Sequence, residues 1–133
     1  MGNFPEIDTI TETIVDADAL VDFARKVEER GYVIVHLTFP AQDDFFAIRV
    51  WSTTYLLSKT TNHQSRLVHA ENVSMAPNWT EVPSNQSFNC TLYFEALPKD
   101  VILFDLAEVI PQPGGFLYRN IARNKSDVYR IKD

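Results

Sequence analysis

The residues of this chain with the widest chemical reach are one cysteine, Cys90, and three histidines, His36, His63 and His69. A thiolate beside an imidazole base makes a nucleophile, and the same groups on a metal make a soft site. The spacing supports neither, since the histidines are not four apart and Cys90 has no second cysteine nearby. His69 and Glu71 share one face of any strand that contains both, so a polar pair is expected there. With Cys90 they form the hydrolase constellation that the sequence offers. Yet Cys90 alternates with Phe88, Leu92 and Phe94 against Asn89, Thr91 and Tyr93, which turns its thiol inward as a small, inert hydrophobe. A structural or surface role is expected for each histidine, and no metal or other cofactor is implied.

Asp105 and Glu108 cannot act as an acid and base pair, because a separation of three puts them on opposite faces of a strand. Gly114 and Gly115, in the breaker 111–115, are followed by no helix whose amides would cradle a phosphate, so a turn with positive φ is expected. The sequons at Asn72, Asn78, Asn85, Asn89 and Asn124 are read as turn and strand-surface residues of a β protein. The rings are more suggestive. Trp51 and Tyr55 fall with Arg49 and Thr53 on a strand face more polar than the one holding Ile48, Val50 and Leu56. With Trp79, the residues Arg49, Trp51 and Tyr55 are the candidate binding set, since exposed rings among polar groups can hold a sugar or a partner strand. A central strand with both faces covered is the competing reading.

The elements that would position these groups are strands. Residues 1–15 are a Thr-rich run expected as an edge strand or arm. Leu20, Phe23, Ala24 and Val27 make one apolar stripe, which predicts a helix over 16–31 that Asp16 or Asp18 caps and Gly31 ends in the left-handed conformation. The main body is then 32–133. Residues 32–39 and 45–57 are expected as a long hairpin, 66–73 as a further strand, and 75–87 as a long connection. Residues 88–94 and 101–106, joined by the turn 95–100, are expected to meet as the core hairpin, with Ile102, Phe104 and Leu106 on its inner face. Residues 116–122 and 127–131 are expected as a closing hairpin. Seven or eight strands with a turn about every ten residues predict an all-β, mainly antiparallel sandwich.

A length of 133 residues fits one domain, and the apolar content of 45% with nine Phe supplies a ring-rich core. The net charge of -6 with no basic cluster argues against nucleic acid and against an anionic membrane surface. No apolar run is long enough for a membrane span, and no signal segment is recognisable, so a cytoplasmic location is expected unless a signal peptide has been removed.

Several stretches also carry a likeness: 51–57 (WSTTYLL), 67–72 (LVHAEN), 91–100 (TLYFEALPKD), 104–108 (FDLAE) and 111–116 (PQPGGF). Together they resemble a family of uncharacterised bacterial immunoglobulin-like β-sandwich domains, in which a "TLIFxxLPKD" strand runs into "FDLIE" and then "PGGF". The resemblance covers roughly residues 48–131. It implies a sandwich, free-standing or appended to an exported enzyme, and brings no catalytic residues with it. A non-catalytic binding or accessory domain with a protein or carbohydrate partner is the expected function. The alternatives are a small hydrolase using His69, Glu71 and Cys90, and a structural or stress-related protein without a ligand. Self-association through an edge strand is a further expectation.

Overall fold

The computed structural model describes residues 31–133. The arm expected at 1–15 and the helix expected from 16 lie outside the described residues; Gly31, the first described residue, has a left-handed φ of 66°. The described chain is all-β and mainly antiparallel. Its strands are β1 (Val33–Phe39), β2 (Phe46–Val50), β3 (Thr54–Ser58), β4 (Gln64–Glu71), β5 (Ser74–Met75), β6 (Thr80–Val82), β7 (Phe88–Phe94), β8 (Leu103–Glu108), β9 (Leu117–Ala122) and β10 (Val128–Lys132).

Seven of these strands form one sheet, in the order β10-β1-β7-β4-β3-β8-β9, with β1 and β10 parallel. Strands β10 and β8 are five places apart in that order, which on a flat sheet would separate them by about 24 Å. Instead the ring of Phe104 on β8 meets that of Tyr129 on β10 edge-on, with centroids 5.1 Å apart. The sheet is therefore folded over on itself into two layers. The fold line runs along β4, whose residues Gln64, Ser65 and Arg66 pair with β3 while Leu67 to Glu71 pair with β7. A register shift between Leu67 and His69 marks the change, as bulges do where strands bend.

Between the layers lies the core. Val33, Val35 and Leu37 from β1 join Cys90, Leu92 and Phe94 from β7, and Leu56, Phe104 and Leu106 complete it from β3 and β8. Alternation explains their selection, since β7 buries Phe88, Cys90, Leu92 and Phe94 and turns Asn89, Thr91 and Tyr93 outward. Two buried polar side chains are both satisfied. Thr54 Oγ1 donates to the Trp51 carbonyl at 2.6 Å, and Ser65 Oγ donates to that of Ala96 at 3.1 Å.

The strands expected from 32–39, 66–73, 88–94 and 116–122 are present, but three expected hairpins are not. β1 pairs with β7 and β10 and leaves β2 alone; β7 and β8 do not pair with each other; β9 pairs with β8 whereas β10 pairs with β1. Each connection carries the chain to another part of the fold, because neighbours in sequence that bury the same kind of face can be stacked as well as paired. Phe104 and Leu106 are buried as expected, but Ile102 is 65% exposed because it precedes β8, which begins at Leu103, and is not held in the strand's alternation. The run 45–57 divides at residues 51–53, so β2 and β3 belong to different sheets. The expected connection 75–87 contains β6 and the end of β5, which flank β2 in a second, three-stranded sheet ordered β5-β2-β6.

At the predicted breaker Gly114 has φ 103°, as a turn glycine should. Gly115 is required for a different reason: a Cβ there would collide with the backbone carbonyl of Glu108. That close approach lets Glu108 N donate to the Phe116 carbonyl at 2.9 Å and fixes the end of β8. Among the sequon asparagines, Asn72 and Asn85 take left-handed φ values of 64° and 61°, and Asn124 Oδ1 accepts the Asp127 amide at 2.7 Å, so all three shape turns.

Candidate functional site

The small sheet brings three of the four candidate binding residues together. Arg49 comes from β2 and Trp51 from the turn that follows it, while Trp79 comes from the connection between β5 and β6. Both flanking strands are in register with β2, Ser74 opposite Arg49 and Thr80 opposite Ile48, so residue 79 is delivered beside Arg49. Ser74 and Thr80 close the loop through their hydroxyls at 2.7 Å, and Asn78 N donates to the Met75 carbonyl at 2.9 Å.

The Arg49 guanidinium carbon lies 3.9 Å from the centre of the Trp79 ring and 5.4 Å from that of Trp51. Both are cation–π distances, with the Trp79 contact the closer. Arg49 Nη1 also donates to the Pro77 carbonyl at 3.0 Å. Trp79 is nonetheless 56% exposed, so a large part of the indole faces solvent. Among the described residues no carboxylate lies within ion-pair distance of Arg49.

The base of this platform is firmly held. Trp51 N donates to Glu108 Oε2 at 3.0 Å, Thr53 Oγ1 to the Val109 carbonyl at 2.6 Å, and Val109 N to the Thr53 carbonyl at 2.9 Å. The turn 51–53 is thus pinned to the end of β8. Spacing excludes Glu108 from an acid–base pair with Asp105, and its part in positioning Trp51 has no signal in the sequence. Burial raises its pKa, against the lowering influence of the Trp51 and Phe116 amides and the Arg49 charge.

Tyr55, the fourth candidate, is not in this group. The turn at 51–53 breaks the strand face that would have aligned it with Trp51, and Tyr55 stands on β3 between Arg66 and Ala107. Among the described residues it has no ring contact with the Arg49 cluster.

The constellation of His69, Glu71 and Cys90 is divided by the sheet. His69 Nε2 is 3.9 Å from Glu71 Oε2, and the Tyr93 hydroxyl donates to Glu71 Oε1 at 2.9 Å, with the Tyr93 and His69 rings 5.6 Å apart. This polar group is on the outer face, where Glu71 is opposite Thr91 and His69 is opposite Tyr93. Cys90 points the other way, into the core, where burial pushes its thiol up to about 12. A thiol with that pKa and orientation does not meet His69. The other histidines have their own partners, His36 Nδ1 with Thr91 Oγ1 at 2.9 Å and His63 Nε2 with Ser65 Oγ at 2.7 Å. Among the described residues no group of histidine, cysteine and acidic side chains has the arrangement of a metal site, and no helix is long and apolar enough to cross a membrane.

No family model matches this chain, and no curated protein or solved structure matches it either.

Proposed function

We propose that this chain is a non-catalytic binding module whose ligand is a carbohydrate held on the Arg49, Trp51 and Trp79 platform. The observation that carries the reading is the exposed indole of Trp79 stacked on a guanidinium that is itself anchored to the backbone. An indole face offers a sugar ring apolar contact at small entropic loss when the indole is already fixed. The pinned turn at 51–53 adds a second ring to the same patch. The likeness to bacterial immunoglobulin-like sandwich domains, some appended to exported enzymes, belongs to this proposal and agrees with an accessory role.

A glycan array with a peptide array beside it tests the proposal. The chain is expected to retain on one or more glycans, with the signal lost in Trp79→Ala. Retention on peptides alone, or no glycan signal at all, would overturn it.

A further inference from the structure

We propose that the sugar taken by this platform carries a carboxylate, as a uronic acid does; the inference rests on the binding reading above and names its ligand class. A guanidinium presents several N–H donors, and Arg49 commits Nη1 to the Pro77 carbonyl. Glu108, whose charge Arg49 influences, has its Oε2 occupied by the Trp51 amide and lies outside ion-pair distance. Lys59, Arg66 and Arg123 have carboxylates at 3.1, 3.0 and 2.6 Å, whereas Arg49, like Arg119 and Arg130, has none among the described residues; what distinguishes Arg49 is that two indoles and a carbonyl hold it. Arg49 is thus held by two rings and a carbonyl, with donors to spare and no carboxylate partner among the described residues.

A ligand that satisfies the site must do two things at once. It must lay a ring against an exposed part of the indoles, and it must bring an anion within hydrogen-bond reach of the guanidinium that lies over the Trp79 ring and near Trp51. A uronic acid does both, because its carboxylate is attached directly to the sugar ring and accepts two parallel N–H bonds from a guanidinium. An isolated carboxylate or phosphate would leave the indoles unused, and a neutral sugar would leave the cation unpaired. Long-range attraction does not explain such binding, since the net charge of -6 repels anions. The recognition is therefore short-range and survives physiological salt, unlike a general electrostatic attraction.

The test is titration calorimetry at physiological salt with oligosaccharides of galacturonic, glucuronic and mannuronic acid, each beside its carboxyl-reduced counterpart. At least one acidic sugar is expected to bind about tenfold more tightly than its reduced form, the ratio that charge-assisted hydrogen bonds supply. Arg49→Gln is expected to abolish that ratio while leaving the unfolding midpoint close to that of the parent chain. Equal binding of the acidic and reduced forms would overturn the inference and leave the platform reading standing. Failure of the acidic sugars when neutral glycans bind on the array would do the same. Failure of every glycan would overturn both readings. The comparison of sugars uses the unaltered chain, so it is decided whether or not the variant folds.

Discussion

Two arginines are used in opposite ways. Arg123 donates through Nε and Nη2 to the two carboxylate oxygens of Asp127, at 2.6 and 2.9 Å, through Nη2 to the Leu97 carbonyl at 3.1 Å, and through Nη1 to the carbonyls of Pro98 and Val101 at 2.8 and 2.9 Å. Its side chain is only 18% exposed. It fastens the crossing from β7 to β8 onto the connection between β9 and β10, two segments that share no strand pairing. Arg49 has one carbonyl and two rings, and no carboxylate partner among the described residues. A guanidinium whose donors are used internally is cement, whereas one held in position with donors to spare can serve a ligand.

The sharpest separation of the two comes from removing each. Arg123→Ala removes five donated hydrogen bonds to three carbonyls and a carboxylate, and is expected to lower stability by about 3 kcal/mol in urea unfolding. Arg49→Ala is expected to lower it by no more than about 1 kcal/mol, the size of an exposed cation–π contact. Equal losses would erase the distinction.

A smaller effect concerns the carboxylate under the platform. Burial raises the pKa of Glu108 above its ordinary 4.5, so in this pH region the folded chain binds more protons at this site than the unfolded chain. Its contribution to stability is then greatest below 4.5 and declines as pH rises through the folded value. Measured by urea unfolding from pH 4 to pH 7, the stability of the parent chain relative to Glu108→Gln is expected to fall with rising pH. A rise would mean that the two amides and Arg49 outweigh burial.

Much of this architecture is legible in the sequence at the level of single strands. Alternation in 88–94 announces both the strand and the inward thiol of Cys90, and the positive φ of Gly114 follows from turn chemistry, whereas the need for Gly115 comes from its contact with the Glu108 carbonyl. Pairing is another matter. The alternating residues of β7 and β8 say that each strand has a buried face, but an apolar face is satisfied as well by a layer above it as by a strand beside it. Turn residues at 95–100 bring the chain round without saying whether it returns to the same layer. The same limit applies to the site. Arg49, Trp51 and Trp79 stand out by type, yet Trp79 reaches Arg49 only through β5 and β6, which have two and three residues and are too short to show a period. Alternation places Tyr55 with Trp51, but the chain turns at 51–53 before reaching it, with Thr54 Oγ1 donating back to the Trp51 carbonyl.

The central claim is that the ligand sits where Arg49, Trp51 and Trp79 meet, and the chain's two tryptophans make it directly visible. In a proton–nitrogen correlation spectrum they give two indole N–H signals, which a Trp79→Phe variant assigns. On titration with the acidic oligosaccharide that binds most tightly by calorimetry, both indole signals are expected to move together with the Arg49 side-chain N–H, while the Arg123 side-chain signal stays fixed. Indole signals that remain in place while amides elsewhere in the sandwich shift would contradict the account.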